Sequence, residues 1–184
     1  MAEELSAFRQ TCTGCHGDQA EGKPELGAPS IAGLPSWYIK EQIEKFRGNK
    51  RGYHPEDLHG QQMKAVALQI SDEQLDAAAE EISKLSPITH PQADSAGAAR
   101  GGELYREWCM NCHRYNGQGE QVFHSAPLVY LDRPYLTRQL ANYRMGKRGG
   151  TEGDFYGAKM IEISATLTDQ EIDDVISYLH SLAK

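Results

Sequence analysis

"CTGCH" at residues 12–16 and "CMNCH" at residues 109–113 decide how this chain is read. Each places a histidine directly after the second of two cysteines. The two motifs stand 97 residues apart, and the same frame holds far beyond them. Gly22 pairs with Gly119, Tyr38 with Tyr135, Gln42 with Gln139 and Arg47 with Arg144. Lys50, Arg51 and Gly52 pair with Lys147, Arg148 and Gly149, Gly60 with Gly157, and Met63 with Met160. The frame slips by one only around "APS" and "APL", where Pro29 pairs with Pro127. A match sustained over this span is an internal duplication, and the repeated unit is far too long for a solenoid.

The join is legible as well. "SPITHPQADSAGAA", residues 86–99, has two prolines, many small residues and no helical period, so it reads as a linker. The expected domains are 1–85 and 100–184. Each reads as all-α, without strand signals. Short helices over 3–11 and 101–108 are expected to end at the cysteine motifs. Ile39, Ile43 and Phe46, and in the second copy Leu136, Leu140 and Tyr143, fall at helical spacing. The last helix of each copy opens on a capping box, Ser71 with Gln74 and Thr168 with Glu171. Behind the boxes run apolar stripes: Leu75, Ala78, Ala79, Ile82 and Leu85, then Ile172, Val175, Ile176, Leu179 and Leu182. These are core faces. A unit this small, with glycine-rich loops, has little core of its own. A large apolar ligand in its middle would explain how it holds together.

Composition narrows the function. The chain has 184 residues and a formal net charge of −7, which argues against a nucleic-acid partner. The first copy has 9 basic and 14 acidic residues and the second 10 and 11, so the charge is uneven. No apolar run approaches the ~18 residues of a membrane span, which leaves only peripheral contact with a membrane complex. The opening "MAEELSAF" is acidic and lacks a signal-peptide core, so an exported protein is expected here in mature form.

All four cysteines, Cys12, Cys15, Cys109 and Cys112, lie in the two motifs. A redox disulfide motif should begin a helix after a strand, and here the motif ends a helix. A zinc site would have to join motifs that belong to different repeats, or strain a histidine that adjoins its own cysteine. Covalent haem attachment accounts for the spacing. Two thiols add across the two vinyl groups of one haem, and the next residue, His16 or His113, faces the iron.

For the opposite face of the iron the first copy offers Met63, His54 and His59, and the second Met145, Met160 and His124. The repeat discriminates among them. His54, His59, Met145 and His124 have no counterpart in the other copy, whereas Met63 and Met160 both stand 47 residues after their histidine. They are expected between a glycine-containing loop and a helix cap, off any apolar stripe. The alternative is a loop methionine with water or histidine on the iron. A His/Met iron has no open position for substrate, so the chain reads as an electron carrier and not an enzyme.

These motifs, with "APSIAG", "APLVYL", "WYIKEQIEKFRGNKRG" and "PYLTRQLANYRMGKRGG", and the methionines of "GQQM" and "GAKM", resemble class I cytochromes c of the di-haem cytochrome c4 type. The resemblance covers nearly the whole chain. It implies two tandem class I cytochrome c domains with one haem c each, in the bacterial periplasm. It also implies that the carbonyls of Pro29 and Pro127 orient the proximal histidines. Its partners would be redox proteins: a terminal oxidase, a reductase or a dehydrogenase. The chain would be a free carrier or, alternatively, the cytochrome subunit of a sulfide, thiosulfate or similar dehydrogenase. Among the recurrent basic residues, Arg47 and Arg144 are expected either to pair with haem propionates or to lie on solvated helix ends. The second copy departs at Arg114, where the first has Gly17.

Overall fold

The computed structural model describes residues 6–90 and 95–183. The chain divides into two compact units, Met1–Ile88 and Thr89–Lys184. The described residues of each form helices and loops, with one isolated β-bridge per unit, Lys23 with Ala28 and Glu120 with Ser125.

In the first unit, Ser6 caps helix α1 (Ala7–Thr11) through the Arg9 N–H. Cys12 both ends α1 and starts α2 (Thr13–His16), so the motif itself forms a helical turn. A loop with a 3₁₀ turn at Pro24–Leu26 leads to α3 (Ser36–Arg47), α4 (Leu58–Ala67) and α5 (Asp72–Ser83). The capping box of Ser71 and Gln74 is formed in both directions.

The apolar core of this unit comes in two clusters among the described residues. Phe8, Ala20, Ala32, Ala78 and Ile82 form one, with Cys12 packed at its edge. Ile43, Phe46, Ala67, Ile70 and Leu75 form the other, with Met63 at its edge, and Ile39 packs against both. Each fully buried large side chain stabilises the unit by about 1.5–3 kcal/mol. A core split in this way, a cysteine bordering one part and a methionine the other, suits a unit filled by a flat apolar group.

The second unit repeats the order: α6 (Ser95–Trp108), α7 (Met110–His113), a 3₁₀ turn at Gln121–Phe123, α8 (Arg133–Arg144), α9 (Phe155–Thr166) and α10 (Asp169–Leu182). Thr168 and Glu171 close the second capping box. Phe8 and Tyr105 occupy the same place in the 97-residue frame, and both are buried.

Helix α6 begins inside the expected 86–99 linker. The small residues at 95–99 instead open this helix, which passes close to α10 directly after them. A Cβ at Gly101 would lie 1.9 Å from the Asp174 carbonyl oxygen on α10, so only glycine allows this approach. Arg100 then reaches the Asp174 carboxylate with two hydrogen bonds, 2.9 and 3.0 Å. Residues 3–5 of the first expected helix and 91–94 of the linker lie outside the described residues.

Helices α4 and α9 are a second departure, because no periodic stripe announces them. Asp57 and Asp154 cap them by accepting from the N–H groups of Gly60 and Gly157. The glycines that face these helices, Gly52 and Gly149, reflect a close backbone approach. A Cβ on Gly52 would meet the Gly60 oxygen at 2.3 Å, and one on Gly149 the Gly157 oxygen at 2.5 Å. Met63 and Met160 therefore sit within helices, not between a loop and a cap, and Met63 borders an apolar cluster.

Candidate haem-binding sites

Each site starts from the turn of helix that carries the cysteines. Cys12 and Cys109 are half-buried at the head of that turn, and burial pushes their thiols up to about 11 and about 12. Glu81 and Cys15 add to the effect at Cys12, and Cys112 adds to it at Cys109. Thiols held neutral in this way are poor redox nucleophiles. None of the four is in a disulfide. Among the described residues, no three His, Cys, Asp or Glu side chains gather to hold an ion.

His16 and His113 are both buried. The Nδ1–H of His16 donates to the Pro29 carbonyl at 2.9 Å, and that of His113 to the Ala126 carbonyl at 2.9 Å. A carbonyl can only accept, so Nδ1 carries the proton in each ring and Nε2 keeps its lone pair. Burial holds both imidazoles below their ordinary titration range, with the carbonyl bonds opposing. A neutral, oriented imidazole with Nε2 bare is the form that ligates a metal. Two thiols plus such a nitrogen match what a covalently held haem needs.

The second carbonyl corrects the expectation for Pro127. In the 97-residue frame Pro29 corresponds to Ala126, and the bond spans 13 residues in both units. The proline moved by one position while the backbone geometry stayed. Counting residues from the histidine, instead of matching prolines, would have found Ala126.

Arg47 and Arg144 are also corrected. Arg47 Nε donates to the Ala67 carbonyl at 2.9 Å, its Nη2 to Ile70, and its Nη1 to Asp72 at 2.7 Å and Glu44 at 2.6 Å. Arg144 repeats this with Ser164 at 3.2 Å, Leu167 at 2.7 Å and Asp169 at 2.6 Å. Each guanidinium clamps the C-terminal carbonyls of one helix to the acidic first turn of the next. These bonds commit both guanidiniums to joining helix ends, so neither arginine lies on a merely solvated helix end.

The recurrent arginines that the fold buries are Arg51 and Arg148. Each donates to a buried glutamine, Arg51 to Gln42 at 2.9 Å and Arg148 to Gln139 at 2.7 Å. Each also stacks over a ring, Phe46 at 4.4 Å and Tyr143 at 4.7 Å. All four polar positions recur in the 97-residue frame, which was the available signal.

The residue after each proximal histidine needs positive φ. Gly17 takes φ 84° and ψ 163°, and Arg114 takes φ 68° and ψ 162°. That region is essentially reserved for glycine. Arg114 is held there by Tyr105, whose hydroxyl donates to the Arg114 carbonyl at 2.6 Å, and by a pair with Glu120 at 2.7 Å. Phe8, the counterpart of Tyr105, has no hydroxyl to offer.

Comparison with known proteins agrees with this geometry. The cytochrome c family model matches residues 6–86 and again 98–183. The thiosulfate dehydrogenase electron acceptor of Thiomonas intermedia (strain K12) is 30% identical, over 92% of this chain and 77% of that protein. Cytochrome c4 of Azotobacter vinelandii is 27% identical, over 93% of this chain and 84% of that protein. The crystal structure of reduced recombinant cytochrome c4 from Pseudomonas stutzeri superposes with a TM-score of 0.76 at 25% identity, covering 95% of each chain. The chain belongs to the cytochrome c family. With two such domains in tandem, it is a di-haem protein of the cytochrome c4 type, and its cofactors are two haem c groups.

Proposed function

We propose that this chain is a periplasmic carrier that takes up and delivers single electrons between respiratory redox proteins. The observation that carries the reading is the duplicated proximal histidine, neutral, buried and fixed by Nδ1 to a backbone carbonyl. Cys12 and Cys15 hold one haem and Cys109 and Cys112 the other. His16 and His113 present Nε2 as proximal ligands. Met63 and Met160 would complete the ligand set of each iron, a role supported by their equal interval from the two histidines. When bound, the haems supply a one-electron iron couple. The residues of this chain supply the rest. They orient the imidazoles, exclude water, and complete a ligand set with no open position for substrate. The chain is therefore a carrier and carries out no chemistry of its own.

Arg51 and Arg148 are assigned to the propionate side of the haems, because a buried planar guanidinium stacked on a ring suits carboxylate recognition. Among the described residues no helix is long and apolar enough to cross a membrane. Peripheral contact with a membrane oxidase or reductase is part of this reading.

A second reading, that of a dedicated electron acceptor for a sulfur-compound dehydrogenase, is favoured by the relatives that bear that name. Rapid mixing of the oxidised protein with a thiosulfate dehydrogenase, and separately with a quinol-oxidising complex, tests both. Fast reduction of both haems by the first favours the acceptor role, and by the second the general carrier. Oxidised protein that binds small exogenous ligands and turns over substrate alone would overturn the carrier reading.

A further inference from the structure

We propose that His90 and His180 form an acid-released latch that holds the end of the inter-unit segment against the C-terminal unit. His90 lies just before helix α6 and belongs to this unit. Its Nε2–H donates to the Tyr130 carbonyl at 3.2 Å. His180, on α10, donates through Nε2–H to the next carbonyl, Leu131, at 3.0 Å. The two rings lie 5.2 Å apart, tilted by 33°. Both tautomers are thereby fixed, with the proton on Nε2 and the lone pair on Nδ1.

His180 is only 4% exposed, and its Nδ1 is buried without a hydrogen-bond partner. A proton added there would meet no acceptor. The charged and titratable groups that face it are His90 on the segment, Arg133 on α8, and Asp132 at the α8 cap. Arg133 is itself held by Asp173 and Ser177, and Asp132 caps α8 through the Tyr135 N–H. Burial pushes the His180 titration below the ordinary imidazole value. The Leu131 carbonyl opposes this, His90 and Arg133 lower it further, and Asp132 raises it.

The sign follows from that balance. A released His180 reaches water and binds a proton more readily than a latched one. Acidification through the ordinary imidazole range therefore favours release, and the latch is whole above it. On the other side, Ile88 packs against the core cluster of the N-terminal unit. Nothing equivalent stands in the first unit, since Ser83 takes the place of His180 in the 97-residue frame.

The test uses the full di-haem protein with Thr89→Cys carrying a nitroxide label, the native cysteines being consumed by haem. Spectra are compared at pH 8 and pH 5, over which the haem absorption is checked to be constant. The label should be immobilised at pH 8 and severalfold more mobile at pH 5. In a His90→Ala background it should be mobile at both. His90→Gln keeps a donor for the Tyr130 carbonyl without a second titrating ring, and should shift the release to lower pH. A label whose mobility ignores pH, or a His90→Ala protein as immobile as the parent at pH 8, would overturn the latch.

Discussion

His113 Nδ1 donates to the backbone carbonyl of Ala126 at 2.9 Å. The same bond joins His16 to Pro29, across the same number of residues. The orienting group is a backbone oxygen at a fixed distance along the chain, and the side chain that carries it is free to vary. This leaves each proximal imidazole with one usable nitrogen, and the remaining questions concern what faces it and what supports it.

The distal ligands can be read spectroscopically. Oxidised protein should show the weak far-red sulfur-to-iron band. Met63→Ala and Met160→Ala should each remove about half of it if, as proposed, each haem has one such bond. A wild-type spectrum without the band, or one untouched by both changes, refutes the assignment.

Arg114→Gly should stabilise the C-terminal unit. Backbone strain of about 1–3 kcal/mol is relieved. The lost surface pair with Glu120 offsets less than about 1 kcal/mol, and the extra freedom of glycine in the unfolded chain roughly another 0.5–1 kcal/mol. A net gain near 1 kcal/mol is expected in denaturant titration of the holoprotein. A loss of stability would show that the arginine is not strained.

Arg144→Gln should act on stability and leave the haem potentials alone. It removes charge-assisted bonds to Asp169 and to the carbonyls of Ser164 and Leu167. A cost of about 2–3 kcal/mol is expected, because only part of these groups can turn to water. Paired redox and denaturation measurements separate this from a propionate role, which would move a potential at little cost to the fold.

Gly101→Ala tests the crossing of α6 and α10. The added Cβ would overlap the Asp174 carbonyl oxygen. Overpacking of this kind costs about 1–3 kcal/mol, more than offsetting the better helix propensity of alanine. Thermal unfolding of the C-terminal unit should fall clearly, and an unchanged midpoint would mean that the helices slide apart freely.

Asp174→Asn gives a pH-dependent effect. The hydrogen bonds from Arg100, more than any other contact, hold the Asp174 carboxyl below the usual carboxylate range. A depressed carboxyl contributes stability above its unfolded value of about 4, and loses it as pH falls through the folded value. Arg100 is more than half exposed, so solvent screening limits the contribution to about 1 kcal/mol. The gap between wild type and variant should be present at pH 7 and close below pH 4. A gap independent of pH would assign the effect to packing.

The sequence by itself determined the duplication, the helical class and the haem chemistry. Spacing along the chain expresses all three: two cysteines and a histidine on one turn, a repeat frame, and capping boxes ahead of apolar stripes. It also singled out Gly17 and Arg114 as the point where the copies differ. Only the tertiary structure decided what each recurrent residue does. Arg47 and Arg144 recur for the sake of helix ends that lie 20 and more residues away. The small residues before Arg100 looked like a linker because composition cannot tell a flexible run from the opening turn of a helix. Helices α4 and α9 were hidden because no apolar stripe marks them, and the close approach of Gly52 and Gly149 to their backbones is a contact no local pattern records. The His90 and His180 rings meet across 90 residues, and only the fold brings them to neighbouring carbonyls. Local order follows from bonds among near neighbours, and the sequence spells those out. The destination of a long side chain is set by whichever distant donor or acceptor the folded backbone leaves within its reach.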